Sequence, residues 1–196
     1  MRRTTLIALL ALIAAAGALL WWSRTSTPPM EPPRAETPPA NAPEGPSQEV
    51  TLYFAREVSS AEFVGWVLVP VQRPVAPSAS PEQAVLEALA AGPTSEERQA
   101  GLVATLPNGT RVLGVQREDG VITANFSREL QENFNGGAEW EEVVLYSIVN
   151  TLVEAGNAGS VRIRIEGEPV ESIGGHLAAD EPLQRNDDIV FHGNQR

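Results

Sequence analysis

RVLGVQREDGVITANFS, residues 111–127, is the stretch whose reading decides the fold. Two runs rich in apolar residues flank Asp119-Gly120, a dipeptide suited to the two positive-φ positions of a type I′ turn, so the stretch reads as a β-hairpin. Downstream of Gly136-Gly137, a long helix is expected from Glu139 to Ala155, burying Val144, Leu145, Ile148, Val149 and Leu152. SVRIRIEG (160–167) then alternates strictly, with Val161, Ile163 and Ile165 inward and Arg162 and Arg164 outward.

Upstream, LPNGT (106–110) is a turn signal. SPEQAVLEALAAGPTSEERQAGL (80–102) reads as two helices. Ser80 is placed as N-cap, Pro81 at the first helical position, and Gln83 completes a capping box. Val85, Leu86, Leu89 and Ala90 form the apolar stripe, Gly92-Pro93 stops the helix, and Thr94 with Glu97 repeats the capping-box spacing. Further back, EVTLYF sets Val50, Leu52 and Phe54 on one strand face and Thr51 and Tyr53 on the other. VGWVLVPVQRPV, from Val64, is an edge strand, because Pro70 and Pro74 forbid a central position. The order β-β-α-β-β-α-β predicts an α+β two-layer sandwich, a mixed β-sheet with helices on one face.

Ahead of this domain, Arg2 and Arg3 precede an apolar run that ends at Trp22, and Leu6–Trp22 is 17 uncharged residues. That is the short end of a membrane-spanning helix. Ala14–Ala16 and Ala16–Ala18 offer small-residue cleavage patterns, so a cleaved signal peptide is the alternative. The run continues through Leu19, Leu20 and the interfacial pair Trp21-Trp22, which favours an uncleaved anchor with its N-terminus cytoplasmic. Residues 23–48 contain eight prolines in 26 residues, a semi-rigid linker. In polyproline II form it reaches roughly 80 Å. The expected organisation is therefore 1–22 transmembrane signal anchor or signal peptide, 23–48 linker, 49–188 folded domain and 189–196 tail. The localisation that follows is a single-pass membrane protein whose residues 4–22 sit in the cytoplasmic membrane and whose domain is extracytoplasmic.

Composition narrows the chemistry. The chain has no cysteine, which removes a disulfide frame, a thiolate metal site, a cysteine nucleophile and a lipidated cysteine. All 14 basic residues are arginine, which removes Schiff-base and P-loop lysine chemistry. From residue 48 onward, 10 Arg against 22 Asp and Glu leave a net charge of −12. Such a domain repels phosphate backbones, so no nucleic-acid partner is expected.

The motifs VTLYF (50–54), LVPVQR (68–73), PEQAVLEALAAGP (81–93), LPNGTRVLGV (106–115), DGVITANFS (119–127), SIVNTLVE (147–154) and VRIRIEG (161–167) together resemble a GerMN domain, the module of sporulation and germination proteins. The resemblance covers about residues 49–188. It implies a fold similar to ring-building motifs, placed outside the membrane and serving protein–protein or cell-wall association in a sporulation, germination or other envelope complex. It implies no catalytic residue and no cofactor. The chain departs from the protein that gives the family its name, which carries two modules on a lipid anchor, since it reads as one module behind a helical anchor.

The remaining candidates for chemistry are sparse. His176 and His192 are too far apart in sequence to suggest a metal pair, and Ser172 lacks the G-x-S-x-G setting of a nucleophile. Glu139, Glu141 and Glu142 hold the carboxylates that glycoside hydrolysis needs, but first-turn acids are also what a helix dipole favours. Asp187-Asp188 lacks EF-hand spacing. Trp66 and Trp140 read as core or edge packing, with a sugar platform as the alternative. Thr51, Tyr53, Arg162 and Arg164 form a candidate interaction face if their strands are neighbours. The expected function is a non-catalytic assembly or binding module, its partner an envelope protein or a second copy, with peptidoglycan a further candidate contact. The alternatives are a cell-wall carbohydrate-binding or hydrolytic protein, and a soluble domain released by signal peptidase.

Overall fold

The computed structural model describes residues 47–60 and 64–192. The expected anchor, nearly all of the linker and the last four residues lie outside the described residues.

Twelve-residue strands β1 (Gln48–Ser59) and β2 (Val64–Val75) pair antiparallel without a register break, from Gln48↔Val75 to Ser59↔Val64. Helices α1 (Pro81–Ala90) and α2 (Ser95–Gln99) follow. A second sheet contains β3 (Val112–Glu118), β4 (Val121–Phe126), β5 (Ser160–Ile165) and the two-residue β6 (Glu168–Pro169), in that spatial order. Between β4 and β5 run the short α3 (Glu129–Glu132) and the long α4 (Ala138–Gly156). The fold is α+β, but the expected single mixed sheet is divided into two sheets, and β1 and β5 belong to different ones.

The turns explain the second sheet. Asp119 and Gly120 have φ of 50° and 80°, and β3 and β4 pair antiparallel around them. Glu166 and Gly167 repeat this conformation at 52° and 86° and turn β5 into β6, an element the sequence reading did not foresee. A parallel neighbour needs a long crossover. Accordingly β4 and β5 are parallel, and α4 lies in the connection between them.

Ile122, Ala124 and Phe126 on β4, with Val161 and Ile163 on β5, point into one core with Val85, Leu86 and Leu89 of α1 and the expected stripe of α4. Val50, Leu52 and Phe54 of β1 complete it. Each fully buried large side chain of this kind contributes about 1.5–3 kcal/mol. Gly156 ends α4 where a Cβ would stand 2.6 Å from Ile122 Cδ1, so a larger residue there would have to displace that methyl. Arg117 of β3 caps the same end, donating from Nη1 to the Gly156 carbonyl at 2.6 Å.

The two capping boxes have different outcomes. Thr94 and Glu97 make theirs reciprocally, and Glu97 also pairs with Arg73 of β2. Ser80 makes no side-chain cap. Its own N–H is taken by the Ser78 hydroxyl, and Gln83 turns to Glu87 instead.

Both outer edges of the β1–β2 pair are covered in part. On β2, alternate residues direct their N–H away from β1: that of Trp66 donates to Glu139 Oε1 at 2.8 Å and that of Leu68 to the Ile189 carbonyl at 2.7 Å. Pro70 and Pro74 continue this row, where a residue without an N–H leaves no donor stranded. On β1, Ala55 exchanges two hydrogen bonds with Val103, and the Tyr53 N–H donates to Thr151 Oγ1. The segment after β6 also joins the sheets, since Leu183 pairs with Val161 and Val190 with Leu68. The chain therefore stays in the fold past residue 188, with Val190 buried.

Candidate functional site

The first turns of α4 carry the acids with the best claim to catalysis. Each has a different destination. Glu139 holds the Trp66 amide. Glu142 accepts from Asn186 Nδ2 at 3.4 Å. Glu141 is 0% exposed and turns into the 172–177 loop. Its Oε1 accepts from the Ser172 hydroxyl and from the amides of Ile173 and Gly174 at 3.0 and 2.8 Å. Its Oε2 accepts from the amides of His176 and Leu177 at 2.8 and 3.3 Å. Burial is the largest influence on its pKa and pushes it up, but the hydrogen bonds together outweigh that and the net shift is downward. Glu141 is an ionised carboxylate enclosed by a backbone nest. It can hold a loop but cannot reach a substrate. A Cβ on Gly174 would stand 2.3 Å from Phe134 and 3.0 Å from Glu141 Oε2, so glycine is required there. Sequence reasoning read Glu141 as a first-turn acid suited to the helix dipole and did not foresee its burial; the signal available was the small, turn-prone Ser172–Gly175 segment, but nothing local connects it to α4.

Ser172 is spent in this nest, donating to Glu141 and accepting from the Gly175 amide. His176 and His192 are exposed. Asp187 pairs with Arg185 at 2.6 Å. Among the described residues no group of three His, Asp or Glu side chains is placed to hold a metal ion.

The expected interaction face is not one surface. Thr51 and Tyr53 are 6% and 2% exposed, because the second face of β1 is covered as fully as the first. Tyr53, Ala55 and Leu68 form a small cluster with Val143 of α4 and Val190 of the C-terminal segment. The Tyr53 hydroxyl donates to Glu154 Oε2 at 2.5 Å and accepts from Arg185 Nη2 at 2.6 Å. Arg185 also pairs with Glu154 at 2.9 Å. Burial first, then the bond to Glu154, push the Tyr53 phenol up to about 12, against the opposing effect of Arg185.

Arg162 and Arg164 do lie on an open surface. They project from the outer face of β5, partly exposed, while their neighbours Val161 and Ile163 are buried. Thr123 and Asn125 of β4 stand beside them in register, and Gln116 of β3 extends the row. Arg164 Nη1 donates to the Gly167 carbonyl at 2.8 Å. Among the described residues neither arginine has a carboxylate at ion-pair distance.

Residues 51–171 match the Germane family, described as sporulation and spore germination. The chain belongs to the Germane family. It is 33% identical over 137 residues to the spore germination protein GerM of Bacillus subtilis (strain 168), a match covering 68% of this chain and 36% of GerM. It therefore spans about a third of that relative. Among solved structures, the first GerMN domain of B. subtilis GerM matches with a TM-score of 0.55 and 27% identity, covering 71% of this chain and 98% of that one. The tandem GerMN domains of the same protein match with a TM-score of 0.58 and 21% identity, covering 81% of this chain and 51% of that one.

This Germane domain has a second open region, where β2 meets the start of α4. Trp66 and Trp140 are both half-buried, with ring centroids 4.8 Å apart and planes at 67°. They line a groove of about 460 Å³ with Val103, Ala104, Asn135 and Gly136. A polar groove of about 730 Å³ adjoins it, sharing Asn135 and Gly136 and running along the 169–175 loop.

Proposed function

We propose that this Germane-family chain is a membrane-anchored, non-catalytic module that docks an acidic envelope protein on the outer face of β3, β4 and β5. One observation carries this reading: in a region with a net charge of −12, Arg162 and Arg164 stand together on a sheet face that is open and without carboxylate partners among the described residues. Guanidinium groups presented in this way suit carboxylates of a partner, which they can bind in paired hydrogen bonds. The anchor is assigned to residues 4–22 and the reach to the proline-rich linker, which puts the domain outside the cytoplasmic membrane. Kinship with a spore germination protein favours a role in a sporulation, germination or related envelope assembly. The hydrolytic alternative is disfavoured because Glu139, Glu141 and Glu142 are each engaged by other groups of the fold.

The test is in-cell photocrosslinking from position 116, on the same face, followed by mass spectrometry. Capture of one envelope protein, or of a second copy of this chain, is expected from the wild type, and its loss from Arg162→Glu/Arg164→Glu. Equal capture by the double variant would sink the proposal.

A further inference from the structure

We infer that the groove at Trp66 and Trp140 is a saccharide-binding site, and that its ligand is an uncharged sugar chain several residues long. Both tryptophans are positioned by close neighbours. Glu139 fixes the Trp66 backbone through its amide, and it directly precedes Trp140. Gly136 presses against Trp140, so closely that a Cβ there would stand 2.6 Å from its Cδ1. The platform is therefore pre-organised, which lowers the ordering cost of binding. Both rings remain partly open, and among the described residues neither indole N–H has a hydrogen-bond acceptor. An indole offers an apolar face and one donor together. The apolar side of a pyranose ring stacks on the first, and its hydroxyls use the second.

The rest of the groove narrows the ligand. Beyond Asn135, whose amide is likewise without a partner among the described residues, the wall is the Gln131 side chain and the Ser172–Gly175 backbone. The amides of Ile173 and Gly174 are taken by Glu141 and that of Gly175 by Ser172, and the Gln131 amide donates to the Ser172 carbonyl, so this wall offers a ligand mainly neutral acceptors, which suit the hydroxyl donors of a sugar. Among the described residues Glu171 is the one charged side chain lining either groove, and it is acidic. A polyanion is therefore repelled. A wholly apolar ligand would leave the polar half unmatched. A single small ligand takes about 300–1,000 Å³ of enclosed cavity. Two adjoining open grooves instead suit an extended chain. The nest around Glu141 gives that wall its rigidity, because the carboxylate that closes it also fixes Ile173, Gly174 and His176.

The experiment is an NMR titration of the full-length chain, labelled at indole nitrogen, in micelles of a detergent without sugar headgroups. The probe is tetra-N-acetylchitotetraose. Saturable shifts of the Trp66 and Trp140 indole resonances are expected, assigned with Trp66→Phe and Trp140→Phe, with Trp21 and Trp22 unmoved. Trp140→Ala should weaken binding by about tenfold, and Asn135→Ala by a few-fold. Arg162→Glu/Arg164→Glu should bind like the wild type, which separates this site from the sheet face. The absence of saturable shifts would overturn the inference, as would unchanged affinity in both Trp140→Ala and Asn135→Ala. Shifts produced by an apolar heptapeptide and not by the sugar would overturn it too.

Discussion

VTLYF in β1 and VRIRI in β5 carry the same alternating pattern, and the molecule treats them differently. In β5 the pattern is obeyed: Val161 and Ile163 are buried, while Arg162 and Arg164 reach the outer surface. In β1 it is overridden. Thr51 and Tyr53 are as covered as Val50 and Leu52, because α4 and the C-terminal segment lie against the second face. Alternation reports what a strand can offer to each side. It does not report whether another element comes to cover the polar side. The cover over β1 is itself polar where it must be, with Glu154 and Arg185 meeting the Tyr53 hydroxyl.

The comparison can be broken most forcefully at the groups that fasten the covering segments. Glu141→Ala leaves the amides of Ile173, Gly174, His176 and Leu177 without their acceptor. It should cost on the order of 3–5 kcal/mol, because several amide donors lose a charged acceptor at once, at about 1–3 kcal/mol for each that stays buried and unpaired, measured by urea unfolding. The Glu141 pKa is lower in the folded state, so its stabilisation is present above the unfolded value near 4.5 and is lost as pH falls through the lower folded value. Glu141→Gln should flatten that part of the acid limb of stability against pH.

Ending the chain at Asp188 tests the cover over the β2 edge. It removes the buried Val190 and both hydrogen bonds to Leu68, and a loss of about 2–3 kcal/mol is expected. Unchanged stability would restore 188 as the domain boundary.

Tyr53→Phe is milder, at about 1 kcal/mol. Its clearer signature lies in alkali. The folded phenol ionises near 12 and the unfolded one near 10, so the wild type should lose Tyr53's contribution between those values as pH rises, and the variant should not. The smallest stability effect belongs to the open sheet. Arg162→Glu/Arg164→Glu should shift stability by no more than about 0.5 kcal/mol. A loss of several kcal/mol in thermal or urea unfolding would mean that this face is covered in the native protein, like that of β1.

The sequence by itself determined the elements whose causes are local. Asp119-Gly120 specifies its hairpin because it accepts positive φ, and Thr94-x-x-Glu97 specifies a helix start because both hydrogen bonds close within one turn. The long helix and the one-sided β5 follow from periodicities of 3.6 and 2. Together with the order of the motifs they were enough for the α+β class and for the family. Tertiary structure alone decided that the strands divide into two sheets, that Tyr53 faces Arg185 across 132 residues of chain, and that Glu141 turns inward to a loop more than thirty residues away. Trp66 and Trp140 became one groove for the same reason. A side chain's direction follows from its neighbours on the strand or helix, but its environment follows from whichever distant segment buries the most surface against it.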